Sequence, residues 1–591
     1  MKMILLMAAF VGCAGMEPVP DSFTEQTDHK TPTTEEWREV KGTQAAWGTS
    51  DVRYAWHALP EDLRRSETLT AWRGERVSAQ AVIYTKVATD SLAPLTLHLT
   101  PFKNGRHALP TEAIKASFVR YVMTDAWATP DGHGAGCGYR PDHTLYDSTM
   151  VADIIDPHAK AMGMDAMSTR SVWVSLQVPA DAVAGTYSGM LCIKAGRRTV
   201  AQLPLHINVI DRTLPAPEEW RFHLDLWQNP FAEARYYGTP LWSDAHLAAM
   251  RPSMEMLAAA GQKVITAGIM HKPWNGQTED HFDSMVTWVK RLDGSWEFSF
   301  EVFDRWVEFM MSCGIKEQIN CFSMIPWALS FPYYDVATNR MQVLRAAPGD
   351  AAYEEMWVAM LKAFSQHLRE KGWFDITTIA MDERPMHAMQ KAMAVIRKAD
   401  PEFKVSLAGN WHPEIEADLY DYCIALDQAE LLPQEVFARR GTEGKKTTIY
   451  TCCTTHRPNT FTFSTPAEGA WYGFYVAGTE YDGYLRWAYN SWVKEPLHDT
   501  RFRQWPAGDT YMIYPYGRSS VRFEKLIEGI QAYEKVRILR EEFEAAGDTE
   551  RLAALEALLE KFDYDSQYVD DFATLIRQGQ DELNALAFVK D

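Results

Sequence analysis

Residues 376–409 read ITTIAMDERPMHAMQKAMAVIRKADPEFKVSLAG, and their rhythm decides the architecture of the larger part of the chain. A short run of β-branched and apolar residues, ITTIAM, ends in two adjacent carboxylates, Asp382 and Glu383. An amphipathic stretch at helical spacing follows, and then a second short apolar run, KVSLAG. Strand, helix, strand in this order is a βα unit.

The same rhythm extends in both directions. Candidate strands lie at 221–227 (RFHLDLW), 263–269 (KVITAGI), 318–325 (QINCFSMI), 376–381, 404–409, 422–427 (YCIALD), 446–452 (KTTIYTC) and 483–490 (GYLRWAYN). Helical segments such as FDRWVEFMMSCG and AYEEMWVAMLKAFSQHLREKG fall between them. Eight such units predict a (β/α)8 TIM-like barrel over residues 213–540. Upstream of the linker RTLPAPEEW the period changes. Alternating runs such as RVSAQAVIYTK, SVWVSLQVP and GTYSGMLCIKA, separated by Gly, Pro and Asp turns, predict an all-β sandwich over residues 39–212. Downstream, VRILREEFEAAGDTERLAALEALLEKF predicts a solvated amphipathic helix pair broken at Gly547-Asp548, and residues 541–591 are assigned to a C-terminal helical extension.

The N-terminus, MKMILLMAAFVGCAG, has a lysine, an apolar run too short to span a bilayer, and small residues around a cysteine. This pattern predicts a signal peptide at 1–12. Val11-Gly12-Cys13 resembles a lipobox, with Cys13 the lipidated residue, although Phe10 replaces the usual leucine. The polar, Pro/Thr-rich residues 13–38 read as a tether. The expected location is the bacterial cell envelope, as a lipoprotein, or the periplasm, with membrane contact only through that anchor.

Composition narrows the chemistry. A formal charge of -20 over 591 residues argues against a nucleic-acid partner. The 21 Trp and 25 Tyr offer flat apolar faces with polar edges, which suit a sugar. Seven cysteines beyond Cys13 show no CxxC pair, and there is no HExxH, so no metal and no cofactor are expected. Their scatter predicts mostly buried thiols. The glycine-rich loop GHGAGCGYR (132–140) lacks a dinucleotide fingerprint and reads as a flexible surface loop.

Catalytic groups of such barrels stand at the C-terminal ends of the strands, and Asp382 and Glu383 fall immediately after the fourth. The alternative for Asp382 is that it caps the following helix. The same face should carry Trp227, Trp274 and Trp327, and the binding candidates Asn410, Trp411, His412, Tyr450, Trp487, Tyr489, Asn490 and Trp492. Ordinary glycosidases oppose two carboxylates across the scissile bond. Here TIYTCCTTHRPNTF, after the seventh strand, supplies none. An adjacent pair suits a mechanism in which the substrate's own 2-acetamido oxygen attacks the anomeric carbon. One carboxylate orients the amide and its neighbour protonates the leaving oxygen, and mutual repulsion would raise the proton affinity of one member.

WRGERVSAQAVIY and DAVAGTYSGMLCI in the sandwich, MDERP in the barrel, and the late blocks GYLRWAYNSWVKEP, GDTYMIYP and SSVRFEKLIEGIQAYEKVRIL together resemble glycoside hydrolase family 123, over about residues 40–540. The resemblance implies an exo-acting β-N-acetylgalactosaminidase using substrate-assisted catalysis on a glycan or glycolipid. Asp382 would stabilise the oxazolinium-forming acetamido group, and Glu383 would be general acid and then base. Another β-hexosaminidase, an endo-glycosidase and a glycan-binding surface lipoprotein without activity remain the alternatives.

Overall fold

The computed structural model describes residues 23–28, 30, 32–125, 137, 148–569 and 571–588. Cys13 and the expected signal peptide lie outside the described residues. Among those residues no helix is long and apolar enough to cross a membrane.

All eight expected barrel strands form: His223–Leu226, Val264–Gly268, Gln318–Phe322, Thr377–Met381, Lys404–Gly409, Asp421–Ala425, Lys446–Tyr450 and Gly483–Arg486. They pair in parallel around one sheet from the first through the eighth and back to the second. The first and second meet through a single parallel bridge, Leu224 to Gln262, and the Lys263 N–H donates to the Leu224 carbonyl at 3.0 Å. The barrel is therefore nearly closed. Its strands are buried almost throughout because helices cover the outside and side chains fill the inside.

That interior is polar on one level. The Gln318 amide donates to Asp421 at 2.6 Å and to Asn320 at 2.9 Å, and Thr378 donates to Asn320 at 2.7 Å. Burial, and then the neighbouring Asp421, pushes the Asp225 carboxyl up to about 7. Protonation limits the charge that this layer must hold away from water. Six of the eight expected strands run one to four residues longer at their C-terminal ends than the ladders do, because the chain bends there into the loops that carry the site; the fourth and fifth end where expected. Two of these loops, after the second and third strands, pair with each other to build a separate four-stranded sheet: Thr287–Lys290, Trp296–Ser299, Ser330–Asp335 and Arg340–Arg345.

The sandwich forms as two facing sheets whose inner residues, among them Trp47, Ile83, Phe118, Val172, Leu191 and Ile207, make one core. One sheet takes its edge strand, Ser519–Ser520, from the barrel domain, paired antiparallel with Ile154 and Ile155. The two domains are thus joined by a shared sheet as well as by the linker. Two boundaries need correction. Within the tether, Phe23 and Glu25 are docked on the sandwich: the Arg120 guanidinium packs over the Phe23 ring, and the Glu25 carboxylate accepts from Arg120 and Arg170. The boundary at 540 falls inside a helix, Val521–Ala546.

From Val536 onward that helix alternates buried and exposed residues as its pattern predicts, but upstream of that stretch it is far less solvated. Its first four turns bury Arg522, Glu524, Lys525, Glu534 and Lys535, most of them paired with the sandwich or the barrel. It packs against helix Ala467–Gly478 at a glycine crossing, where a Cβ on Gly473 would lie 1.7 Å from the Gly529 carbonyl oxygen. The break at Gly547-Asp548 is as expected: Gly547 takes a left-handed φ of 63° and Asp548 caps the next helix.

Candidate active site

The fourth barrel strand ends at Met381, and the backbone then turns before helix Met386–Ala399 starts. Asp382 does not cap this helix: Pro385 stands at the N-cap and offers no side-chain acceptor. Asp382 and Glu383 instead face a cavity of about 380 Å³ at the C-terminal mouth of the barrel. Trp227, Trp274, Gln277, Trp327, Ala408, Tyr450, Leu485, Trp487, Trp505 and Asp509 line it, together with Cys137, Cys452, Cys453 and Thr454.

The two carboxylates sit in unlike environments. Asp382 is buried, at 7% exposure, whereas Glu383 is exposed. The Trp327 indole N–H donates to Asp382 Oδ2 at 2.9 Å, while the buried Oδ1 has no hydrogen-bond partner among the described residues. Burial raises the Asp382 carboxyl to about 7; the Trp327 bond and the Arg384 guanidinium oppose this, and the charge of Glu383 adds to it. Mutual repulsion, the cause anticipated from sequence, is therefore the lesser contribution. The Tyr450 hydroxyl, at the end of the seventh strand, donates to Glu383 Oε1 and holds that carboxylate at the cavity.

The walls are mainly aromatic. Trp227 stacks on Trp274 with centroids 4.8 Å apart, and Trp487 meets Trp505 edge to face at 5.9 Å. Among the described lining residues there is one further carboxylate, Asp509. It is fully buried, and Arg486 donates to it at 2.6 Å, so it is committed to a buried ion pair.

Of the residues expected at the site, the structure brings Asp382, Glu383, Tyr450 and Trp487 together with Trp227, Trp274 and Trp327. Others lie elsewhere. The Tyr489 hydroxyl donates to the Ser253 carbonyl at 2.8 Å, outside the barrel wall, and the Trp492 indole donates to Ile513 at 2.9 Å. The Asn490 amide bonds Glu233 at 2.8 Å, whose carboxyl burial pushes up to about 8, and accepts from the Asn229 N–H. All three are fully buried, because the chain leaves the mouth after Trp487 and packs against the first helices. Asn410, Trp411 and His412 do not line the cavity. Trp411 stacks on Tyr422, whose hydroxyl accepts from the His412 N–H and donates to the Asn410 carbonyl.

The cysteines hold the main surprise. Cys192, Cys313, Cys321 and Cys423 are buried thiols, as expected, but Cys137 and Cys453 form a disulfide across 316 residues of sequence. The glycine-rich stretch 132–140, read as a flexible surface loop, lies outside the described residues except for Cys137, which the disulfide places at the cavity wall. Replacing both cysteines by serine is expected to lower stability by about 2–4 kcal/mol, measured by denaturant unfolding under non-reducing conditions. An unchanged midpoint would show that the bond constrains nothing in the unfolded chain.

Two family models cover most of the chain: the glycoside hydrolase 123 catalytic domain over residues 227–539 and the glycoside hydrolase 123 N-terminal domain over residues 47–195. A family 123 glycoside hydrolase from Clostridium perfringens, studied for glycolipid glycan hydrolysis, matches at 25% identity and a TM-score of 0.80, over 92% of this chain and 97% of that one. A Bacteroides ovatus GH5 xyloglucanase bound to a heptasaccharide aligns over 79% of this chain and 98% of its own, at 10% identity and a TM-score of 0.29, too low to bear on the comparison. No curated protein sequence matches the chain. With both domain models in register with the sandwich and the barrel, and a solved member superposing along nearly its whole length, the chain belongs to glycoside hydrolase family 123 and is a glycosidase.

Proposed function

We propose that this glycosidase is exo-acting, releasing terminal β-linked N-acetylgalactosamine from glycans or glycolipids by substrate-assisted catalysis with retention. The observation that carries the proposal is the unlike pair at the cavity: a buried Asp382 with one oxygen unengaged, beside an exposed Glu383 held by Tyr450. The glycolipid glycan hydrolysis described for the Clostridium perfringens enzyme supports the substrate class.

In the first step the acetamido carbonyl oxygen attacks the anomeric carbon as the glycosidic C–O bond breaks, and Glu383 gives its proton to the leaving oxygen. Asp382 Oδ1 accepts from the acetamido N–H, which orients the nucleophile and offsets the positive charge of the oxazolinium ion. In the second step Glu383 takes a proton from water, which opens the ring on the same face. No protein nucleophile is needed, consistent with Asp509 being tied to Arg486. Trp487 and the Trp227–Trp274 pair supply apolar surface for the acetamido methyl and the sugar face.

The test is release of nitrophenol from the β-linked N-acetylgalactosaminide, N-acetylglucosaminide and plain galactoside. The expected order is N-acetylgalactosaminide above N-acetylglucosaminide, with the galactoside at least about 10³-fold slower because it lacks the internal nucleophile. Comparable turnover of the galactoside would exclude substrate assistance. Saturable glycan binding without any turnover would leave a binding protein.

A further inference from the structure

We propose that Trp327 is a positioning residue for Asp382: its indole N–H holds Oδ2 and thereby reserves Oδ1 for the substrate's acetamido N–H. The inference rests on the substrate-assisted reading above and goes beyond it, because a tryptophan from the third strand's loop has no assigned part in that chemistry.

The geometry is specific. Trp327 follows the third barrel strand, and its backbone N–H donates to the Pro273 carbonyl at 3.1 Å, tying it to the loop after the second strand. One edge of its indole bonds Asp382 Oδ2 at 2.9 Å, and the Arg384 guanidinium lies over the ring, 4.9 Å from its centroid. Yet the residue is 41% exposed. A tryptophan so placed is not there to fill a core; its polar edge is what engages the protein. Rotation of a carboxylate about its terminal torsion is broad and nearly two-fold. Without a donor on Oδ2, either oxygen could face the cavity at a range of angles, and the amide would lose its fixed acceptor. The charged groups around this carboxylate are Glu383 and Arg384 from its own loop, while Tyr450, at the end of the seventh strand, and Cys452, just beyond it, face Glu383. Trp327 therefore also supports the ionised form of Asp382 against the burial that raises its pKa.

The experiment compares Trp327→Phe, which keeps a ring and removes the donor, with Trp327→His, which keeps an N–H. The readouts are pH profiles of kcat/KM on the aryl N-acetylgalactosaminide, inhibition by a thiazoline that mimics the oxazolinium ion, and thermal midpoints. For Trp327→Phe we expect a loss of about 10²-fold in kcat/KM. Its acid limb should move to higher pH, and thiazoline affinity should fall further than affinity for free N-acetylgalactosamine. Trp327→His should recover part of each. If the wild type is thiazoline-sensitive but Trp327→Phe keeps its acid limb, or loses both affinities equally, the clamp is wrong and the tryptophan only packs. If the wild type itself ignores the thiazoline, the substrate-assisted reading fails, and the clamp fails with it.

Discussion

Glu383→Gln is expected to lower kcat/KM on an oligosaccharide by about 10³-fold or more, and Asp382→Asn by a comparable factor, but the two losses should differ in kind. Glutamine in place of Glu383 can still accept from Tyr450, so the site keeps its shape and loses only the transferable proton. The deficit should shrink with leaving groups that depart without protonation, such as nitrophenol, until the second step limits turnover. Asp382→Asn removes negative charge beside the developing oxazolinium, a loss that does not depend on the leaving group. The pH profile adds an independent check. With its carboxyl raised to about 7, Asp382 is half-protonated near neutrality in the free enzyme, so kcat/KM should show an acid limb that rises with pH through that region. Asp382→Asn should abolish this acid limb together with most of the rate. Steady-state kinetics over a series of leaving groups, from pH 5 to pH 9, reads all of these. Equal loss in Glu383→Gln on every leaving group, or an acid limb that survives in Asp382→Asn, would reverse or remove the assigned roles.

The fold was legible because the strands of a parallel barrel, buried on both faces, appear as short apolar runs between amphipathic helices, and each of the eight registers independently. The catalytic pair was legible for a different reason: a polar step directly after an apolar strand stands out against its surroundings. The remaining site residues were harder. Trp487, Tyr489 and Trp492 are alike in composition and only a few residues apart, yet one lines the cavity and two are fully buried behind it. Which way a chain bends after its strand is set by tertiary packing, here by Ser253 and Ile513, which are remote in sequence.

Gln277, Trp505 and the Cys137–Cys453 bond were missed for the same cause. Each belongs to a loop whose place at the cavity depends on other loops. The Trp505 indole donates to the Gln277 carbonyl at 2.7 Å, and the Ala507 N–H donates to Asp125 at the end of a sandwich strand. That the chain reads as exported was the one signal that allowed a disulfide, while the odd number of cysteines beyond Cys13 and their scatter along the sequence argued against it. A sequence separation of 316 residues is no obstacle once two domains share a sheet.

That sharing leads to the largest expected effect on stability. Asp153, on a sandwich strand, is fully buried; its Oδ1 accepts from Arg53 at 2.9 Å, and its Oδ2 accepts from Arg522 at 3.0 Å and from the Tyr514 hydroxyl at 2.6 Å. Burial alone would raise this carboxyl, but Arg522 and then Arg53 overcome it and hold it below the usual carboxylate range. Its contribution to stability is therefore complete above the unfolded-state pKa, near 4, and is lost only as acid protonates the folded group. Asp153→Ala would leave two guanidinium groups buried without a counter-charge, which costs about 3–5 kcal/mol. Because Arg522 and Tyr514 belong to the barrel domain, this loss should not unfold the sandwich alone. Calorimetry should show one transition moved to lower temperature, with Arg522→Met in the same chain restoring part of the loss, since it removes one of the stranded charges. Two transitions, with the upper one unmoved, would mean that the domains fold independently and that the shared strand is only a contact. The sandwich also reaches the cavity wall directly, because Asp125, at the far end of a neighbouring strand, accepts from the Ala507 N–H between the lining residues Trp505 and Asp509.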